Sequence, residues 1–201
     1  MDSLRIEICG GIASGKTTLT SALKGHCPNL GTVLEDAFSG GFLEDFYRHP
    51  RYFAYETQIF FLLQHLHQIK VEQLKNPSLV CDFSLEQDYA YAENNLNAEE
   101  WKSFQEMYRG SESQVRKPDI IIFLECPTEI LLRRIAVRGQ ASETRVSKSY
   151  LDTTVSHLKK RLNSLSAKII TIDSNKYDFR EPKDVSHIIS DLLNRYIDWP
   201  D

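Results

Sequence analysis

The sequence predicts an α/β fold, in which a five-stranded parallel sheet is flanked by helices on both faces. Short apolar runs alternate with longer stretches that carry apolar residues at helical spacing, the order expected of a parallel sheet wrapped by helices. The first run leads into a glycine-rich loop and then into a helical stretch. The 201 residues contain no repeat and no dividing linker, so we expect a single domain over residues 1–201.

Each predicted strand is a short run rich in branched apolar residues, which favour strands. The clearest is the sequence IIIFLE at positions 120–125. Four of the runs end in a carboxylate, two of them at Glu35 and at Asp82. The five predicted strands are Arg5–Cys9, Thr32–Glu35, Leu79–Asp82, Ile120–Glu125 and Lys168–Asp173.

The predicted helices show a longer apolar period. Between positions 51 and 74, apolar side chains from Phe53 to Ile69 recur at helical spacing. Gly139 follows another such stretch, as glycine often does where a helix ends. The predicted helices are Thr17–Lys24, Arg51–Leu74, Ala98–Tyr108, Thr128–Arg138, Val146–Leu165 and Pro182–Tyr196, and Gly110-Ser111 is expected to be a loop.

The glycine-rich loop matches the full phosphate-loop pattern G-x-x-x-x-G-K-[ST] of P-loop NTPases. Glycines let the backbone turn its N–H groups toward phosphate oxygens, and the next helix adds the positive end of its dipole. In this pattern Lys16 meets the β- and γ-phosphates and the Thr17 hydroxyl ligates Mg²⁺. The predicted nucleotide-binding residues are Gly10, Gly11, Ile12, Ala13, Ser14, Gly15, Lys16, Thr17 and Thr18.

Composition narrows the function classes. The net charge is −4, and a mildly acidic chain is a poor non-specific partner for a nucleic acid polymer or an anionic membrane. We expect a cytoplasmic location, because the sequence has no apolar signal core near Met1 and no run long enough to span a bilayer. The four cysteines form no C-x-x-C pattern, so buried reduced thiols are expected rather than disulfides or a zinc site.

The carboxylates at the strand ends extend the phosphate-loop prediction. Asp82 ends an apolar strand, the pattern of a Walker B aspartate that holds Mg²⁺, and Glu35 ends a second strand in the same way. Two neighbouring carboxylates need a metal, a basic group or a proton to abstract. The alternative is that either acid caps the next helix or turn.

Four stretches give a more specific indication: residues 42–63, residues 82–93 with Leu96, residues 118–127, and Arg134-x-x-x-Arg138-Gly139-x-x-x-Glu143. Together they resemble the deoxynucleoside kinase family, and within it the bacterial deoxyadenosine and deoxyguanosine kinases. The resemblance spans roughly residues 4–162. It implies ATP-dependent phosphorylation of a deoxynucleoside 5′-hydroxyl for nucleotide salvage, a small helical lid at about 134–147, and a homodimer through the helix at 51–74.

The resemblance also implies residue roles in the reaction. Glu35 is the general base and helps to hold Mg²⁺, and Asp82 lies beside the metal and the 5′-end of the nucleoside. Lys16 and the lid arginines Arg134 and Arg138 stabilise the transferring phosphoryl group. Without the resemblance, the two arginines could equally be solvated charges on one helix face.

For the nucleoside, the resemblance pairs Tyr47 with Glu143 at the 3′-hydroxyl. Gln58 reads the base edge, Asp88 favours bases with an exocyclic amine, and Tyr91 stacks on the base. These roles favour a purine deoxynucleoside and leave deoxycytidine possible. Taken alone, Gln58 could be a solvated polar residue, and each tyrosine could be a core aromatic with a wet hydroxyl.

Three positions depart from the family pattern. Phe83 stands where many relatives have arginine, and Gln140 stands where many lids carry a second arginine. His65 stands where relatives often place an arginine that supports the base-reading aspartate. A protonated His65 could still pair with Asp88, so we expect a softer base preference that depends on pH near neutrality.

Two alternatives remain open from the sequence. A nucleoside monophosphate kinase of the thymidylate kinase type would need cationic groups for its acceptor's phosphate, whereas the acceptor residues here are neutral or acidic. A nucleotide switch would need guanine-reading motifs. Residues 175–178, NKYD, match N-K-x-D, but they follow the last predicted strand and no D-x-x-G precedes them, so we interpret the match as coincidence.

Lys16→Ala tests the phosphate loop. We expect phosphoryl transfer to lose several kcal/mol of transition-state stabilisation, because the loop lysine acts mainly on charge that develops during transfer. Steady-state turnover measures this loss, with thermal unfolding as the control that the fold is intact. Retained turnover would remove Lys16 from the mechanism.

Overall fold

The computed structural model describes residues 3–35, 42–140, 143–197 and 199. Its centre is a five-stranded sheet in the order β2-β3-β1-β4-β5, in which every neighbouring pair is parallel. The five predicted strands are confirmed, with ends that differ by at most two residues. The strands are β1 (Arg5–Gly10), β2 (Gly31–Val33), β3 (Leu79–Cys81), β4 (Ile120–Glu125) and β5 (Lys168–Asp173).

Helices connect the strands and cover both faces of the sheet. They are α1 (Lys16–His26), α2 (Phe42–Arg48), α3 (Pro50–Gln73), α4 (Leu85–Asn95), α5 (Ala98–Glu112), α6 (Thr128–Arg138), α7 (Lys148–Asn163) and α8 (Pro182–His187), which continues into the wider, π-type turns of α9 (Ile188–Leu193). Helices α1, α8 and α9 share one apolar core with β1, β4 and β5. Helices α3, α4, α5 and α7 pack against the opposite face.

The sequence analysis missed helices α2 and α4 and was wrong about Gly110-Ser111, which lie within α5. Helix α4 shows why such a segment is hard to predict. It is buried on most sides, with Leu85, Gln87, Asp88 and Ala92 all inside, so its sequence has no apolar stripe. Its start is marked only by Ser84, whose side chain accepts a hydrogen bond from the N–H of Glu86 at 3.1 Å.

The expected burial is confirmed for three of the four cysteines. All four cysteines are free, and Cys9, Cys27 and Cys81 are buried while Cys126 is partly exposed. Burial raises the pKa of the Cys9 and Cys81 thiols, and the nearby Glu7 carboxylate raises each further. Among the residues that the structure describes, no helix is long and apolar enough to cross a membrane.

The position of β1 determines where a ligand can bind. This strand lies between β3 and β4. The connection after β1 leads to β2 on one side of it, and the connection after β3 leads to β4 on the other side. Crevices at the carboxyl ends of such strands are the usual ligand sites of open parallel sheets. The glycine-rich loop starts at the end of β1, and Glu35 and Asp82 follow the adjacent strands β2 and β3.

A buried ion pair distinguishes β1 from an ordinary central strand. Arg5 and Glu7 are each 1% exposed and pair with one another on the face under α4 and α5. The Arg5 guanidinium also donates to the carbonyl of Arg116. Removal of one partner from a buried pair leaves an uncompensated charge in a low-dielectric interior, which is strongly destabilising.

We therefore expect Glu7→Gln to lower the free energy of unfolding by about 3–5 kcal/mol. Glu125→Gln is the matched control, because Glu125 pairs with Lys159 and both side chains are about half exposed. That change should cost less than about 1 kcal/mol. Urea unfolding measures both values. Equal losses would show that the buried pair contributes no more than a surface pair.

Candidate active site

The structure has a cleft of about 1220 Å³ along the carboxyl edge of the sheet. It brings together the phosphate loop, the end of β2, helices α2, α3, α4 and α6, and the start of α7. Gly10, Gly11 and Asp82 are buried and do not line it. The site residues predicted from sequence that do line the cleft are Ile12, Ala13, Ser14, Gly15, Lys16, Thr17, Thr18, Glu35, Tyr47, Gln58, His65, Asp88, Tyr91, Arg134, Arg138 and Glu143.

The backbone of the phosphate loop turns tightly. Gly15 has φ 101° and Ala13 has φ 62°, both in the region that favours glycine. A Cβ at Gly10 would lie 2.8 Å from the carbonyl oxygen of Leu124, so a larger residue would push the loop away from β4. The loop delivers the chain to the N-terminus of α1, where unpaired N–H groups and the helix dipole favour an anion.

Lys16 lies over this loop. Its Nζ is 3.5 Å from the carbonyl oxygen of Gly10 and 3.4 Å from that of Gly11. No ion pair joins it to a carboxylate in the part of the chain that the structure describes. Its positive charge is therefore available to a phosphate in the cleft.

Asp82 connects the two acidic strand ends to the loop. Its Oδ2 accepts a hydrogen bond from the Thr17 hydroxyl at 2.6 Å, and its Oδ1 accepts one from the Glu35 N–H at 2.5 Å. Asp82 is 2% exposed, whereas Glu35 is exposed. The carboxylate thus fixes the backbone of Glu35 beside Thr17 and leaves the Glu35 side chain to face the cleft.

Thr17 and Asp82 are also the candidate Mg²⁺ ligands. A hydroxyl and a carboxylate in contact are oxygen ligands of the kind that Mg²⁺ takes beside nucleotide phosphates, so the residues fit the ion. Among the described residues, no group of three or more His, Cys, Asp or Glu side chains could hold a metal. The remaining Mg²⁺ ligands at this position would be phosphate oxygens and water.

The lid arginines have different partners. Arg134 Nη2 donates to the carbonyl of Ser174 at 2.6 Å, and its Nη1 lies 3.4 and 3.3 Å from the carbonyls of Ala13 and Ser14. Arg134 therefore ties α6 to the phosphate loop. Arg138 forms an ion pair with Glu143, with its Nε 3.1 Å from Oε2. Residues 141 and 142 of the predicted lid lie outside the described residues.

Tyrosines form the wall beside this ion pair. Burial raises the pKa of Tyr47 and of Tyr91, and neighbouring groups, Tyr150 first among them, raise each further. Burial also raises the pKa of Tyr150 to about 12. The three hydroxyls thus stay neutral and can donate hydrogen bonds at physiological pH. Tyr91 and Tyr150 meet edge to face, with ring centroids 6.4 Å apart.

The far end of the cleft contains Gln58, His65 and Asp88, each at most 6% exposed. His65 Nδ1 lies 2.8 Å from Asp88 Oδ2, which is the contact that the sequence analysis allowed for. The His65 ring stacks on Phe83 at a centroid distance of 3.8 Å and an angle of 9°. Burial lowers the pKa of His65, but the Asp88 charge and hydrogen bond outweigh burial, so the net pKa is raised.

The sequence analysis missed several cleft residues, including Gln87, Arg133, Tyr150 and Arg180. Gln87 is the most closely integrated of them. It is 7% exposed on α4, and its Oε1 accepts a hydrogen bond from the N–H of Gly10 at 3.0 Å. Gln87 stands beside Asp88 in the stretch that carried the family resemblance, but a sequence gives no sign that two segments 77 residues apart will meet.

A model of the deoxynucleoside kinase family matches residues 6–198 of the chain. The chain belongs to the deoxynucleoside kinase family. Enzymes of this family phosphorylate deoxynucleosides to monophosphates. The predicted family and enzyme class are therefore confirmed, and the match extends well beyond the residues that carried the resemblance in the sequence.

Individual relatives agree with this assignment. The kinase is 28% identical over 194 residues to the deoxyadenosine kinase of Dictyostelium discoideum, covering 94% of this chain and 79% of the relative. It is 25% identical over 185 residues to the deoxyguanosine kinase of Bacillus subtilis (strain 168), covering 87% and 88%. A solved structure of deoxyadenosine kinase from M. mycoides with bound dCTP has a TM-score of 0.80 at 20% identity, covering 96% and 100%, which confirms the predicted fold.

Gln87→Met tests the contact with the loop of this kinase. The substitution keeps the side-chain length but removes the acceptor for the Gly10 N–H, so we expect ATP to bind roughly tenfold more weakly. Gln114→Met is the control, because Gln114 is exposed and its amide bonds the Lys70 ammonium group and the carbonyl of Gly110, away from the loop. ATP titration by calorimetry measures both. Equal affinities for the two variants would show that Gln87 does not position the loop.

Proposed function

We propose that this kinase transfers the γ-phosphoryl group of ATP to the 5′-hydroxyl of a deoxynucleoside, with purine deoxynucleosides favoured and deoxycytidine possible. One observation carries the proposal. A single cleft has the phosphate loop with Lys16 at one end, Glu35 beside that loop, and the uncharged or acidic side chains of Gln58 and Asp88 at the far end. A wall of this kind suits an acceptor without charge better than one that already carries a phosphate.

Glu35 is the proposed general base. A primary alcohol is a weak nucleophile, and a carboxylate at its hydroxyl takes the proton late in a loose phosphoryl transfer. The Glu35 side chain is exposed to the cleft, while its backbone N–H is held by Asp82. This arrangement supports the role, because the base is free to reach a hydroxyl from a fixed position.

The phosphate-loop end of the cleft is proposed to stabilise the charge of the transferring phosphoryl group. Lys16 and the N–H groups at the start of α1 neutralise negative charge on the phosphoryl oxygens as it shifts toward the leaving group. Thr17 and Asp82 would hold Mg²⁺, which would neutralise negative charge that develops on the phosphate oxygens. Arg134 contacts the loop directly and adds positive charge beside it.

The nucleoside is proposed to occupy the other end of the cleft. Tyr47 and Glu143 bind the 3′-hydroxyl, for which a neutral phenol and a carboxylate offer both a donor and an acceptor. Glu143 forms an ion pair with Arg138, which holds its carboxyl group in place beside the tyrosines. Gln58 and Asp88 read the base edge, and Tyr91 packs on the base.

Incubation with natural deoxynucleosides and their monophosphates tests this proposal. Each compound is supplied with ATP and Mg²⁺, and the products are identified by mass. We expect monophosphates from deoxyadenosine and deoxyguanosine. Diphosphates formed only from the monophosphates would contradict the proposal and indicate a nucleoside monophosphate kinase. Tight GTP binding without turnover of any nucleoside would indicate a nucleotide switch instead.

Glu35→Gln tests the general base. The amide keeps the side-chain volume but cannot take a proton, so we expect kcat to fall by roughly 10²–10⁴-fold with little change in nucleoside binding. The control is Glu44→Gln, because Glu44 also lines the cleft but pairs with Arg48 on the exposed side of α2. Steady-state kinetics and nucleoside titration measure the two effects. An unchanged kcat in Glu35→Gln would assign Glu35 a structural role.

A further inference from the structure

One polar atom in the wall of the cleft is left without a protein partner. His65 Nε2 is buried and has no hydrogen-bond partner among the described residues. The residue is 2% exposed and lines the cleft beside Asp88 and Gln58. A buried nitrogen that stays unpaired costs free energy, so a bound group that pairs with it would gain affinity.

The ring itself is held in one orientation. Its Nδ1 is committed to Asp88 Oδ2 at 2.8 Å, and its face stacks on the buried Phe83 ring at 3.8 Å. The Phe61 ring packs nearby, with centroids 5.8 Å apart. Because Nδ1–H donates to the carboxylate in both charge states, a change in protonation alters only Nε2.

We propose that His65 Nε2 is a specificity-determining group that reads position 6 of the purine, donating to it when the imidazole is protonated and accepting from it when the imidazole is neutral. This inference rests on the proposed function, because it places the base at the Gln58 and Asp88 end of the cleft. It extends the proposed function to selection between amino- and oxo-purines by the charge of one side chain.

The pattern of hydrogen-bond donors and acceptors determines which purine each charge state of His65 favours. Protonated His65 and ionised Asp88 present one donor and one acceptor. With the His65 donor at position 6, they match the O6 and N1–H of an oxo-purine, whereas the amino group of adenine meets a second donor. Neutral His65 and Asp88 present two acceptors. The amino group can then donate to His65, whereas O6 faces a lone pair and leaves both oxygen and nitrogen unpaired.

The charges around His65 come from several elements. Asp88 lies on α4, Glu35 follows β2 and Asp82 follows β3, and each of the three carboxylates favours the protonated ring. Burial opposes protonation but is outweighed, so the pKa is raised. His65 therefore loses its proton above the usual range for histidine, and selection against oxo-purines should set in on the alkaline side.

Deoxyadenosine and deoxyinosine form the matched substrate pair for the test, because their bases differ only at N1 and position 6. The measured quantity is the ratio of kcat/KM for deoxyinosine to that for deoxyadenosine, from about pH 6 to about pH 9. Effects of pH on ATP binding and on stability cancel in this ratio. The ionised fraction of free deoxyinosine is determined from its ultraviolet spectrum and corrected for.

We expect the ratio to fall roughly tenfold as pH rises through the His65 titration, which imidazole NMR of the wild-type enzyme locates independently. A ratio that is flat across that titration would overturn the inference while leaving the kinase activity in place. Activity on other deoxynucleosides but on neither member of this pair would overturn the inference alone. Failure to phosphorylate any deoxynucleoside would overturn the proposed function and this inference with it.

Variants separate a reading role from a structural one. His65→Arg is charged at every pH, so its ratio should stay flat at the wild-type acidic value. His65→Gln does not titrate, so its ratio should also be flat. His67→Gln is the control on the same helix, because His67 is exposed and does not line the cleft, and it should keep the wild-type pH profile. A wild-type profile in either His65 variant would overturn the inference.

Discussion

The Asp82 carboxylate holds the two halves of the cleft together. One of its oxygens accepts from the Thr17 hydroxyl at the phosphate loop, and the other accepts from the Glu35 N–H at the end of β2. The distance between the phosphate end and the acceptor end is therefore set by one buried side chain at the end of β3. Phosphoryl transfer requires the reacting groups to be aligned within about an ångström. The hydrogen bonds of Asp82 provide a rigid connection at the point where this alignment is needed.

The two ends of the cleft that Asp82 connects differ in charge. Positive groups lie at the phosphate end, where Lys16 and Arg134 both reach carbonyls of the loop. At the acceptor end the cation Arg138 is paired with Glu143, and Asp88 is paired with His65. The acceptor end thus has directional hydrogen-bonding groups with little net attraction for phosphate, and the field along the cleft favours one orientation of donor and acceptor.

The sequence predicted the sheet and the phosphate loop because both follow local rules. Apolar runs such as 120–125 form strands wherever a helix can cover them, and the loop pattern fixes strand, turn and helix in order. It missed α4, whose burial on most sides removes the apolar stripe that marks a helix, and it missed Gln87, whose role depends on a contact across 77 residues. The boundaries of the single domain stay a prediction. So do the homodimer through α3, which depends on a partner chain, and the roles of the cleft residues, which depend on a ligand.

The cysteines of this fold make the cleft resistant to thiol chemistry. Cys9 directly precedes the phosphate loop, and Cys81 directly precedes Asp82, but both are buried and their raised pKa keeps them as thiols. Alkylating reagents and oxidants react with the thiolate, so neither residue offers them a point of attack. Cys126 is the partly exposed cysteine, and it packs against the same apolar cluster around Leu131 as Ile12 and Ala13 of the loop. We expect a fluorophore attached there to sense changes in the packing of the loop without replacing a residue that lines the cleft.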